Sequence, residues 1–253
     1  MPIDLNADVG ESFGPYVLGA DAELIPLVSS VNIACGFHAG DPQVIDRTVA
    51  LAVRAGAAVG AHPGYWDLRG FGRRPLPADP AEVEADVLYQ VGALLAFARA
   101  HGTVLRHVKP HGALYNQAVQ DEALAQAIAR GTARAGSELT FVGLATSEVM
   151  RRAAAGAGLR FAAEAFVDRA YEADGTLVSR KQAGAVITDP PRAAAQAVSI
   201  ARDGRVTARD GSVVTLKADT LCLHGDNPRA GEVARAVREG LEAAGVAVRP
   251  LGP

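Results

Sequence analysis

The sequence predicts an α/β fold, a single closed or nearly closed (β/α) barrel of about seven strands, or eight, on a mainly parallel sheet. Three observations predict it. Short apolar runs alternate with amphipathic helical patterns from end to end, the pattern of repeated strand–helix–strand units. No linker and no repeat divides the 253 residues, so 1–253 reads as one domain of a size that suits a barrel. Ionisable residues collect just after the predicted strands, where a parallel barrel gathers its loops on one face. A doubly wound open sheet is the alternative.

The elements follow in order. Residues 3–8 read as a first strand carrying Asp4, Asn6 and Asp8, followed by Gly10-Glu11-Ser12. Residues 20–28 read as a short helix, and 29–34 as a second strand. That strand runs into Cys35-Gly36-Phe37-His38-Ala39-Gly40-Asp41, which packs a thiol, an imidazole and a carboxylate into seven residues. Gly36 and Gly40 allow a sharp turn there. Asp41 before Pro42 also fits a helix N-cap with proline at the first helical position. Residues 43–55 form a helix that Gly56 stops, and 57–61 a strand ending at His62-Pro63-Gly64. Residues 65–80 have no period. A loop of that length is functional or disordered, and its aromatic and glycine content favours function. A long helix covers 80–101. The next strand, 103–109, meets Pro110-His111-Gly112, and a helix follows at 121–135. Strands at 139–144 and 159–165 flank a helix at 147–155. After a turn at Asp174-Gly175-Thr176 comes a helix at 189–202, then a hairpin at 206–216 around Asp210-Gly211. A late strand at 220–223, a helix at 230–244 and a short strand at 246–249 complete the chain.

Composition narrows the function. Hydrophobic residues make up 49% and charged residues 21%, as in a globular protein with a substantial core. A formal net charge of −3 with no long basic run argues against nucleic acid as a partner. No apolar run reaches membrane-spanning length, and the N-terminus lacks the basic and apolar regions of a signal peptide. Two cysteines, Cys35 and Cys222, make no disulfide framework, so a cytoplasmic location is expected. There are three lysines, and one of them, Lys109, sits inside a motif.

The strand ends carry Asp8 and Glu11, His38 and Asp41, His62, Lys109 and His111, Glu164 and Asp168, and His224 and Asp226. So many ionisable groups on one face point to an active site. Asp8, His38 and His62 would suit a divalent metal, since two histidines and a carboxylate are a common set. Cys35 with His38 or His62 as base would suit nucleophilic catalysis, although small buried apolar filler is the favoured reading of both thiols. There is no P-loop and no dinucleotide fingerprint. Arg73, Arg74 and Lys109 suit carboxylate or phosphate.

The chain resembles the LamB/YcsF family over nearly its whole length. The resemblance rests on Asp4-Leu-Asn-Ala-Asp8-Val-Gly-Glu11, Asn32-Ile-Ala-Cys-Gly-Phe-His38-Ala-Gly-Asp41, Gly60-Ala-His62-Pro-Gly-Tyr65, Gly70-Phe-Gly-Arg-Arg74, Lys109-Pro-His-Gly-Ala-Leu-Tyr-Asn116, Glu164-Ala-Phe-Val-Asp168-Arg-Ala-Tyr171 and His224-Gly-Asp226-Asn-Pro228. Trp66 stands where many members have proline, a difference placed at a pocket wall.

The resemblance implies a barrel similar to that of polysaccharide deacetylases. It implies the reaction 5-oxoproline + ATP + 2 H2O → glutamate + ADP + phosphate, with ATP as co-substrate, in a complex with 5-oxoprolinase subunits B and C. A five-membered lactam is a poor electrophile, so such a site needs cations, a base for water and an acid for the leaving nitrogen. Lys109, Arg73 and Arg74 are the expected cations. Asp8, Glu11, His38 or His62 is the expected base, with His111 or Asp41 shuttling the proton. Asn6, Asn32, Asn116, Glu164, Asp168, Arg169, His224 and Asp226 are the expected substrate or phosphate contacts. A metal-dependent amidase or deacetylase acting alone, and a substrate-binding subunit without catalysis, are the competing expectations.

Overall fold

The computed structural model describes residues 2–227 and 229–251. Pro228, which closes the last motif, lies outside them, as do both ends of the 1–253 span. Six strands lead the sheet in chain order: β1 (Asp4–Val9), β2 (Ser30–Ala34), β3 (Ala58–His62), β4 (Leu105–Val108), β5 (Thr140–Leu144) and β6 (Arg160–Phe166). Two short strands, β7 (Arg205–Thr207) and β8 (Val213–Thr215), form a separate antiparallel ribbon. The last strand, β9 (Thr220–His224), pairs in parallel with both β6 and β1 and closes a seven-stranded barrel.

The helices pack outside. They are α1 (Asp21–Leu24), α2 (Pro42–Ala55), α3 (Pro80–Ala100), α4 (Gly112–Ala118), α5 (Glu122–Ala135), α6 (Glu148–Gly156), α7 (Pro190–Val198) and α8 (Ala230–Ala243). Their starts follow local chemistry. Asp41, Asp79, Asp121, Ser147 and Asp189 each accept a backbone N–H as N-cap, and α2, α3 and α7 carry proline in the first turn. Asp79 and Glu82 complete a capping box.

The barrel lumen is unusually polar, and β1 shows why. Its residues alternate between two faces. Leu5, Ala7 and Val9 face the apolar layer under the helices, and Asp4, Asn6 and Asp8 face inward. Asp4 accepts from Ser29 Oγ at 2.7 Å, Ser30 Oγ at 2.6 Å and Thr220 Oγ1 at 2.5 Å. One layer up, Asn6 donates to Thr220 Oγ1 at 2.6 Å and Glu164 Oε1 at 3.2 Å. Asp4 and Asn6 thus find partners across the lumen, which burial in a low-dielectric interior requires.

Three expectations change. The helix expected at 20–28 is the single turn α1 followed by a 3-10 turn at Ile25–Leu27, because Pro26 removes a donor. The strand expected at 246–249 is reduced to one bridge between Ile3 and Val248. The helix α4 was not expected, since it has seven residues and opens on a glycine.

Candidate active site

At the carboxyl ends of the strands the lumen opens into a cavity of about 570 Å3. Lys109 lies at its foot, buried, with Nζ 2.8 Å from Asp8 Oδ1, 3.0 Å from Glu164 Oε1 and 2.9 Å from Cys222 Sγ. Burial alone would lower the ammonium, but Asp8 and its other neighbours hold it well above the usual lysine range. Burial alone would likewise raise Asp8, but His62 and Lys109 overcome it and keep that carboxylate ionised. Cys222 is therefore not the apolar filler expected, because its sulfur faces an ammonium. Cys35 does fit that expectation: its Sγ lies 3.2 Å from Ile33 O, and burial pushes the thiol up to about 12.

A relay of side chains fixes Asp8. His107 Nε2 donates to Asn32 Oδ1 at 2.7 Å, and Asn32 Nδ2 donates to Asp8 Oδ1 at 2.8 Å and Asn6 Oδ1 at 2.6 Å. Burial, with Lys109 nearby, pushes the His107 imidazole down to about 3 from an ordinary 6.5. Unfolding exposes it to protonation, so stability is full above about 6.5 and is lost as pH falls toward 3. One such group gives a slope of about 1.4 kcal/mol per pH unit. Urea unfolding at pH 7 and pH 5 is expected to show a smaller difference for His107→Gln than for wild type. An equal difference would show that His107 does not drive the acid limb.

Beside Asp8 stand two imidazole assemblies. His224 Nδ1 lies 2.9 Å from Asp168 Oδ1, and its Nε2 is 3.8 Å from Asp8 Oδ2. On the other flank, His62 Nε2 is 3.3 Å from Asp8 Oδ2 and 2.9 Å from His111 Nδ1. His38 lies flat against His111, with ring centroids 3.7 Å apart, and its Nε2 is 3.5 Å from Glu11 Oε1. Burial, then neighbouring histidines, push His38 and His111 well down. Burial, then Asp8, pushes Glu11 well up.

The metal set expected from sequence is regrouped. Glu11, His38, His62 and His111 converge, while Asp8 falls in a different group with Cys222 and His224. The loop after β3 holds this flank. Phe71 adopts φ 54, a strained conformation for a bulky residue, and its carbonyl accepts from His111 Nε2 at 2.8 Å.

Several expected residues sit elsewhere. The Asp41 carboxylate is spent on Gln43 N, Val44 N and Gly14 N, so it is a helix cap and loop anchor rather than a proton shuttle. Arg74 is clamped by Asp67 with Nε at 3.0 Å and does not line the cavity. Arg73 does line it, paired with Asp226 at 2.6 Å. Asn116 is exposed on α4 at the cavity wall, donating to Gly112 O. Arg169 is buried, bonded to Val178 O at 2.6 Å, and also borders the cavity. Trp66 does not line the cavity and stacks on Phe37 at 5.1 Å. Arg180 and Lys181, which no motif singled out, add cations to the mouth.

These features define a seven-stranded parallel (β/α) barrel with a buried cluster of carboxylates, imidazoles and an ammonium at its carboxyl mouth. The chain belongs to the LamB/YcsF family, which it matches over residues 3–253. It is 57% identical over 250 residues to the A subunit of 5-oxoprolinase from Symbiobacterium thermophilum, covering 99% of this chain and 95% of that one. Its fold superposes on the crystal structure of the lactam utilization protein from Thermus thermophilus with a TM-score of 0.94 at 52% identity, over 99% and 100% of the two chains. The peptidoglycan deacetylase PdaC from Bacillus subtilis (mutant D285S) shares the fold alone, with a TM-score of 0.50 at 11% identity over 99% and 87% of the two chains.

Proposed function

We propose that this chain is the lactam-opening component of an ATP-dependent 5-oxoprolinase, forming L-glutamate from 5-oxoproline together with subunits B and C. The observation that carries this is the Asp168–His224 pair facing Asp8 and Lys109 at the foot of the cavity. The relatives that are 5-oxoprolinase A subunits support the substrate and, being parts of a larger enzyme, the need for partners. Two free, buried thiols fit a cytoplasmic setting.

Phosphorylation of the lactam oxygen by ATP makes the ring carbon electrophilic. His224 Nε2 takes the proton of the attacking water, with Nδ1–H held by Asp168, and returns a proton to the departing ring nitrogen. Ionised Asp8 steadies the imidazolium in between. Ring opening leaves an acyl phosphate, which a second water cleaves to glutamate and phosphate. Lys109 favours negative charge developing on oxygen, and Arg73, Arg180 and Lys181 suit the carboxylate and phosphate at the mouth.

Glutamate release from 5-oxoproline tests this, with the chain alone and with its B and C partners, each with and without ATP. ATP-dependent release only in the complete mixture is the expected result. ATP-independent release by the chain alone, abolished by chelation, would replace it with a metal amidase, a reading that the Glu11–histidine cluster favours. No release in any mixture with competent partners would remove both.

A further inference from the structure

Four donor atoms from four separate segments meet on one flank of the cavity. One donor atom each from Glu11, His38, His62 and His111 lies within 4.8 Å of the other three, with Glu11 Oε1 3.5 Å from His38 Nε2 and 3.6 Å from His111 Nδ1. The far nitrogens fix two tautomers. His62 Nδ1 is 2.7 Å from Lys109 O, and His111 Nε2 is 2.8 Å from Phe71 O, so each must donate there. In the neutral rings the remaining nitrogens, His62 Nε2 and His111 Nδ1, then both carry lone pairs, and they face each other at 2.9 Å. Two lone pairs hold that separation only with a cation between or beside them.

A proton on His62 Nε2 would serve His111 and Asp8. It would leave Glu11 Oε1 and both ring nitrogens of His38 buried without a partner, as they stand, and each such orphaned polar group is costly. A metal ion satisfies all four donors. We propose that Glu11, His62 and His111, completed by His38, form a binding site for a divalent transition-metal ion of the zinc class.

Three imidazole nitrogens and one carboxylate oxygen suit such an ion and are poorly matched to magnesium or calcium. Backbone carbonyls on the far nitrogens are the usual way a ligating histidine is oriented. His38 lies parallel to His111 within 1°, so its ring must turn to bring a lone pair into line. No hydrogen bond holds it, so the turn breaks none. The second donor group, Asp8, Cys222 and His224, is not a competing site, because the Lys109 ammonium already sits 2.8 Å from Asp8 Oδ1 and 2.9 Å from Cys222 Sγ. An ion on this flank would supply Lewis-acid polarisation of an amide carbonyl.

The test is made on the full chain, stripped with a chelator and dialysed against Zn2+ or Co2+. It needs no turnover, so it stands or falls separately from the proposed activity. About one ion per chain, a higher melting temperature on re-addition and visible Co2+ absorption are expected. His62→Gln and His111→Gln should lose the stoichiometric ion, and His101→Gln, changed at the exposed Asp46 pair, should keep it. A stripped wild-type chain that gains no ion and no melting shift with Zn2+, Co2+ or Mn2+ would overturn the proposal. So would unchanged binding in both His62→Gln and His111→Gln. The wild-type measurement decides even if a variant fails to fold.

Discussion

Lys109→Met is expected to lose about 3–5 kcal/mol of stability, the range for removing one partner of a buried ion pair, together with lactam-opening activity. The methionine fills similar space, so the loss is electrostatic. It leaves Asp8 and Glu164 buried, 4 % and 0 % exposed, with no ammonium between them. One of the two carboxyl groups must then take a proton, so the deficit should shrink as pH is lowered. Adding Glu164→Gln to Lys109→Met should recover part of the stability without recovering activity. Urea midpoints for the single and double variants check this. A single variant as stable as wild type would mean that the ammonium does not hold the lumen together.

Gly60→Ala is expected to be the most damaging methyl addition in the barrel. A Cβ at Gly60 would lie 2.0 Å from His107 Nε2 and 2.3 Å from Cδ2, inside any allowed contact. β3 passes so close to the ring because Gly60 is in register with both Asn32 and His107. Displacing His107 breaks its bond to Asn32, and Asn32 in turn orients Asp8. Overpacking costs about 1–3 kcal/mol and sometimes more, and the lost buried hydrogen bond adds about 1–3 kcal/mol. Gly60→Ala/His107→Ala, which restores the space, should melt above Gly60→Ala alone. A melting temperature for Gly60→Ala within a degree or two of wild type would contradict this packing.

The barrel was legible because its signals are local. Strand–helix alternation, caps such as Asp79 with Glu82, and the polar alternation of Asp4, Asn6 and Asp8 can all be read over a few residues. The gathering of ionisable groups at strand ends was legible for the same reason, and it placed Asp8, Glu11, His62, Lys109, His111, Glu164 and His224 together.

Roles within the cluster depend on pairings across the lumen that spacing does not encode. Asp41 and Arg74 look as reactive as their neighbours in a motif, yet backbone N–H groups and Asp67 occupy them. Cys222 passed as filler although Thr220, Cys222 and His224 alternate on β9, a period-2 signal that put the thiol on the face of His224. His107 lies inside β4, in none of the motifs, and shows its importance only through Gly60 and Asn32. Strand-end position put His38 and His111 on one face, but the stacking of their rings joins two loops distant in sequence, and no local pattern announces it.

The most direct measurement is the rate of ATP-dependent glutamate formation in a complete mixture where only this chain varies. Wild type, His224→Gln, Asp168→Asn and His101→Gln would be compared after circular dichroism confirms that each is folded. His224→Gln should fall by about 10²- to 10⁴-fold, the usual worth of a positioned acid–base group, with a change chiefly in kcat. Asp168→Asn should fall less and His101→Gln should match wild type. A folded His224→Gln chain that releases glutamate within a few-fold of the wild-type rate would show that the barrel mouth does not perform the proton transfer.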